Sequence, residues 1–154
     1  MKILLTVHQF PPKYISGTEV LTYSVARELM SRGHEVRVLT GAPGSEPLRD
    51  AERFDEYEID GIKVYRFTHA FVPMGDQSVI MEMEYCNRLV ARYFRMILDN
   101  YQPDLVHVFH MSRLGVGMID IALQQNIPIY FTPTDFWSVC PTSLLMLDDG
   151  SPCA

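Results

Sequence analysis

A chain of 154 residues that is 47% hydrophobic and 21% charged has the composition of an ordinary soluble globular domain. It is long enough to bury roughly 68–70% of the surface its unfolded form exposes, and one domain is expected. Thirteen basic residues against 19 acidic ones give a net charge of −6, and the basic residues are dispersed. That excludes the electrostatic footprint of a nucleic-acid binder.

The first strand is read at Lys2–His8 (K-I-L-L-T-V-H). A loop from Gln9 to Gly17 comes next, in which Pro11 and Pro12 forbid helix and Gly17 permits a positive φ. Leu21, Val25, Ala26 and Leu29 then recur at helical spacing, with Thr18 as the expected N-cap and Gly33 as the terminator at C′. Glu35–Thr40 restarts an extended pattern, completing a βαβ unit. Gly41–Arg53, rich in Gly, Pro and charge, reads as an exposed loop. Tyr57–Ile59 and Ile62–Phe67 flank Asp60-Gly61, the strongest short signal for a hairpin with a type I′ turn. A long helix is expected from Asp76 to Asn100, broken near Cys86, then a strand at Asp104–Phe109, a helix at Leu114–Gln125 and a strand at Ile129–Thr132. Strands alternating with helices predict an α/β fold: a Rossmann-like, doubly wound parallel sheet with helices on both faces and a β-hairpin insertion.

Ile3–Val7 is shorter than a signal-peptide core of about 7–15 apolar residues. No run approaches the roughly 18 apolar residues of a membrane span, so a cytoplasmic location is expected, with peripheral membrane contact left open. Cys86, Cys140 and Cys153 are too few, and odd in number, for a secreted disulfide framework, so reduced thiols are expected. The separation of Cys140 from Cys153 fits no zinc or iron–sulfur pattern. Unpaired cysteine is the plainer reading; the sharper one makes them the first two ligands of a site completed elsewhere. Neither a metal nor a cofactor is expected.

In such sheets, ligands bind just past the carboxyl ends of the strands. Three segments qualify: His8–Glu19, His107–Met111 and Thr132–Cys140. The helix opening at Thr18 offers free N–H groups to an anion, and a glycine beside it lets that anion come close. His8 and His110, at strand ends, are candidate ligand contacts, whereas His107 is read as a hydrogen-bonded core histidine. His107 and His110 fall on opposite faces of an extended segment and form no ready metal pair. Asp135 either orients a hydroxyl-rich substrate or caps the turn after it. Phe136 and Trp137 form either the apolar wall of a cleft, which would make Trp137 substrate-binding, or the edge of the core.

Taken in order, Ser16-Gly17-Thr18-Glu19, the run Leu29–Thr40 containing G-H-E-V-R-V-L-T, Asp60-Gly61-Ile62-Lys63-Val64, Pro103-Asp104-Leu105-Val106-His107 and Thr132-Pro133-Thr134-Asp135-Phe136-Trp137 resemble the N-terminal domain of glycosyltransferase family 4. The family's enzymes have the GT-B architecture, in which two Rossmann-like domains face each other across a cleft. The resemblance implies a hexosyltransferase that moves a sugar, with retention of configuration, from a nucleotide-diphosphate-sugar donor to a sugar, lipid-linked or other hydroxyl acceptor. It implies that residues 1–154 are a single acceptor-side domain, truncated before a C-terminal donor-binding domain and inactive alone. Gly17 matches the second glycine of the family's Gly-Gly loop, whose backbone approaches the donor diphosphate, and Ser16 replaces the first. Thr134 stands where many members carry a histidine that contacts the donor sugar, in the motif Thr-x-His-Asp. The expected site is then Asp135 and Thr134 as catalytic residues, with His8, Ser16, Gly17, Thr18, Glu19, His110 and Trp137 binding substrate.

Readings from two other classes stand beside this one. A non-catalytic acceptor- or partner-binding subunit would share every feature above. A nicotinamide-dependent oxidoreductase would require G-x-G-x-x-G after the first strand and an acidic residue ending the second, where this chain has Ser16-Gly17 and Thr40-Gly41.

Overall fold

A computed structural model describes residues 1–44, 47–69, 85–140, 143–147 and 149–152. In chain order the elements are β1 (Lys2–Val7), α1 (Gly17–Ser31), β2 (Glu35–Pro43), β3 (Phe54–Ile59), β4 (Ile62–His69), α2 (Arg88–Tyr101), β5 (Leu105–Val108), α3 (Gly117–Gln124) and β6 (Ile129–Phe131), with a short 3₁₀ turn at Asp50–Glu52. The part of the expected long helix before residue 85 lies outside the described residues, as does Cys153.

One six-stranded sheet has the order β3-β4-β2-β1-β5-β6. Every pairing is parallel except β3 with β4, the hairpin turning at Asp60 and Gly61. Both turn residues have positive φ, +49° and +79°, as a type I′ turn demands. Side-chain alternation sorts the strand residues onto two faces. Ile3, Leu5, Val7, Val36, Val38, Ile62 and Val64 pack under α1 around Ala26. Leu4, Leu39, Tyr65, Phe67, Val106 and Val108 pack under α2 and α3 around Phe94, Ile97, Met118 and Ile121. Both faces of the sheet are therefore covered, as near-continuous apolar strands require.

Local signals end most elements where expected. Gly33 at φ +83° comes after α1 and donates to the Met30 carbonyl, while His34 donates to Leu29, so the helix ends in a left-handed glycine. Asn87 caps α2 by accepting from the Val90 N–H, which accounts for the break near Cys86.

Three expectations need correction. The cap of α1 is Ser16, not Thr18, so the helix begins two residues early. Gly17 is not among the glycines with positive φ. β2 runs on to Pro43, because residues 41–43 pair in parallel with Phe67–His69 of β4, and the strand ends only there. Gly41 and Ala42 are buried rather than exposed.

The crossover through α1 runs from β1 to β2 on one side, and the one through α2 brings the chain from β4 back to β5 on the other side of β1, so the switch point of the sheet lies between the carboxyl ends of β1 and β5. The parallel register Thr6↔Val108, extended by two residues, places His8 opposite His110.

Candidate functional site

His8 leaves β1 with its carbonyl accepting from the N–H of Gly41, at 3.2 Å. A Cβ on Gly41 would lie 2.9 Å from that same oxygen. Real Cβ atoms do not come so close to backbone, so the glycine keeps His8 in place. Gly41→Ala is expected to cost about 1–3 kcal/mol, the range for forced overpacking, in denaturant unfolding, and to shift the ring resonances of His8.

The ring of His8 meets Glu19, Nε2 to Oε1 at 3.3 Å. Glu19 is wholly buried, and its other oxygen accepts from the Ser16 hydroxyl at 2.6 Å. A buried carboxylate needs such partners, because an unpaired one carries a large desolvation penalty. Ser16 gives its hydroxyl to Glu19 and makes no side-chain cap bond to the helix. The first N–H groups of α1 are left for another acceptor. Thr18 is half-buried, and its carbonyl accepts from Thr22.

On the other side, the rings of His8 and His110 lie 4.3 Å apart. The Ser112 N–H donates to His110 Nδ1 at 3.0 Å, so neutral His110 carries its proton on Nε2. That nitrogen faces Asp135 Oδ2 at 3.0 Å. Asp135 Oδ1 accepts from the Trp137 N–H at 2.9 Å, so the carboxylate caps its turn and holds the histidine at once. Partial burial pushes this carboxyl up. The Trp137 N–H and the two histidines outweigh that and hold it below the usual range. Trp137 is 8% exposed and packs on His110 at 5.4 Å, with Tyr85 stacked on it at 5.6 Å. The Thr134 hydroxyl sits 3.5 Å from the Phe109 carbonyl, at the limit of a hydrogen bond.

A continuous chain of contacts thus runs Ser16–Glu19–His8–His110–Asp135 across the switch point, with Gly17 at its open end. The pattern of Glycosyltransferase Family 4 matches residues 15–144. The chain belongs to glycosyltransferase family 4. A curated relative, described as an uncharacterized 42.6 kDa protein in the cps region of Klebsiella pneumoniae, is 21% identical over 154 residues, covering 94% of this chain and 39% of its own length. The family 4 chain therefore spans about two fifths of that relative. Sucrose-phosphate synthase from Thermosynechococcus elongatus is similar in structure, with TM-score 0.54, 12% identity and coverage of 94% and 38% of the two chains. The C-terminal domain of a hydrogenase from Pyrococcus furiosus gives TM-score 0.56, 14% identity and coverage of 86% and 90%. Likeness at this level speaks to the fold alone.

His107 of the family 4 chain lies outside the contact chain. Its Nε2 is 2.8 Å from the Thr132 hydroxyl and its ring stacks on Phe109 at 4.2 Å. Burial pushes its pKa down. The neutral form is favoured in the fold, so this contribution to stability is complete above the ordinary value of about 6.5 and is lost as pH falls through the lowered one. An NMR titration of the His107 ring is expected to give a midpoint below that value.

Among the described residues, no group of three His, Cys, Asp or Glu side chains is placed to hold a metal ion, and no helix is long and apolar enough to cross a membrane. Sequence reasoning missed Gly41, hidden in an apparent loop. Of the adjacent aromatics, Trp137, expected to bind substrate, is buried, while Phe136 stands 50% exposed.

Proposed function

We propose that the protein is the acceptor-side half of a retaining glycosyltransferase that moves a hexose from a nucleotide-diphosphate sugar to an acceptor hydroxyl. The observation that carries this is at Gly17. Its φ is not positive, and a Cβ there would meet nothing within 4 Å. Neither backbone conformation nor packing inside the chain calls for glycine, which leaves open space beside the start of α1. The α1 N–H groups that the Ser16 side chain leaves uncapped belong to the same turn, which suits a diphosphate held by a facing domain.

Asp135 and Thr134 are the catalytic residues in this reading. A carboxyl held below its usual range is ionised at neutral pH, so Asp135 stabilises positive charge at the anomeric carbon or accepts the proton of the incoming hydroxyl; it does not serve as an acid. Thr134 gives up only a long bond when it turns toward the donor sugar. His8 and His110 line the crevice. Glu19, being buried, positions His8, and Trp137 supports His110.

The test is transfer from a panel of radiolabelled nucleotide sugars. These 154 residues alone should show no turnover, and the chain continued into a donor-binding half should transfer. Turnover by the short chain refutes its dependence on a second domain, and inactivity of the longer one with every donor refutes the transferase.

A further inference from the structure

Between the start of α2 and the start of α3 lies a hollow of about 300 Å³, lined by Tyr85, Arg88, Ala91, Leu114 and Met118 among others. No residue of the contact chain from Ser16 to Asp135 is among its walls. Those walls are mostly carbon. An apolar cavity of about 150 Å³ takes up benzene, so this one has room for about two fused rings. Tyr85 ties the hollow to the crevice, because its ring stacks on Trp137 at 5.6 Å and Trp137 packs on His110 at 5.4 Å.

Arg88 opens α2, and Arg92 and Arg95 follow at i+4 and i+7, so they share one exposed side of the helix. Among the described residues no carboxylate lies within ion-pair distance of any of them, whereas Arg32, Arg37, Arg49, Arg53 and Arg66 each face one. Like charges one turn apart repel, and cations near a helix N-terminus oppose its dipole. The first turn of α2 holds no acidic residue to offset them. The stripe therefore destabilises its own helix, while it makes the mouth of the hollow positive on a chain whose net charge is −6. A ligand of matching chemistry has an apolar body and a negative group. Rigid rings suit the walls better than a flexible chain, because Tyr85 offers a flat partner and a chain loses more rotational freedom when ordered.

We propose that the hollow is an effector site for a small aromatic monocarboxylate of about two fused rings, its ring lying against Tyr85 and its carboxylate on the Arg88 guanidinium. Guanidinium and carboxylate pair through parallel N–H···O bonds, which an alcohol cannot match. The occupant is neither donor nor acceptor of the transfer, since Tyr85 and Trp137 stack between it and His110. It acts on the crevice through those rings. A shift of Tyr85 on binding passes to Trp137, whose ring packs on His110 and whose backbone N–H holds Asp135. The site goes beyond the transferase reading and does not rest on it.

Trp137 is the single tryptophan of the chain, so its indole N–H gives one NMR resonance that reports on the hollow. Titration with β-naphthoate should shift that resonance and the ring resonances of His110, and leave unmoved those of His34, which sits beside the chain's N-terminus at the other end of the strands. The neutral analogue β-naphthylmethanol and the flexible anion decanoate should each bind about tenfold more weakly, the scale of one charge-assisted bond and of one aromatic contact. Arg88→Gln, an exposed change, should weaken naphthoate by about tenfold and leave the alcohol as it was, whereas Tyr85→Leu should weaken both. Absence of any Trp137 shift with naphthoate overturns the proposal. So does equal affinity for the alcohol, undiminished naphthoate binding to Arg88→Gln, or tighter binding of decanoate, which marks the hollow as a surface for acyl chains. Movement of Trp137 without movement of His110 overturns the effector role.

Discussion

Glu19→Ala is expected to destabilise the domain by about 2–4 kcal/mol in denaturant unfolding, combining the cavity left by a buried side chain with the loss of partner for Ser16. The side chain is wholly buried; one oxygen accepts from the Ser16 hydroxyl at 2.6 Å and the other lies 3.3 Å from the His8 ring without a hydrogen bond of its own. Loss of activity in that variant alone would not separate folding from function. Glu19→Gln does, because it fills the same volume and its amide oxygen still accepts from Ser16. Its amide nitrogen then faces His8 where a carboxylate had been, and the ring loses the charge that orients it. The glutamine variant should stay within about 1–2 kcal/mol of wild type, yet lose on the order of 10²-fold in kcat/KM of the longer enzyme, the scale of a misplaced crevice group. Wild-type activity in Glu19→Gln would show that the carboxylate serves packing only.

Glu19 also shows where a sequence stops being readable. An acidic residue in the first turn of a helix ordinarily lies in solvent and complements the helix dipole. Only the path of the preceding loop, with Phe10 buried and the Pro11 carbonyl held by the Tyr57 hydroxyl, turns this one inward beneath His8. The elements themselves were legible because their signals are local. The apolar run of β1, the glycine after α1 and the Asp60-Gly61 turn each fix a backbone conformation within a few residues. Gly41 misled for the complementary reason: glycine close to proline reads as loop, while the pairing of residues 41–43 with β4 is a long-range fact. Likewise, the meeting of His8 with His110 depends on the β1–β5 register, which no local pattern encodes. Phe136 and Trp137 are adjacent, and which of them faces the core depends on how the chain leaves β6.

Asp135→Asn should separate the two duties of that carboxylate. Asparagine can keep its oxygen on the Trp137 N–H and so preserve the turn. Its amide nitrogen must then face His110 Nε2, which carries a proton because the Ser112 N–H occupies Nδ1. Two donors meet, and the His110 contact is lost. Since the group is partly exposed and solvent screens it, the change in stability at neutral pH should stay under about 1 kcal/mol. Activity of the longer enzyme should fall by about 10²–10⁴-fold, the range for removing a positioned acid–base group. The acid limb of stability gives a second readout. With its pKa lowered in the fold, Asp135 contributes stability that is fully present above the ordinary aspartate value, about 3.9, and is lost as pH falls through the depressed one. Below about pH 4 the stability curves of the wild type and of the Asp135→Asn variant should therefore converge. If they stay parallel into acid while activity is unchanged, Asp135 is neither the partner of His110 nor a catalytic group.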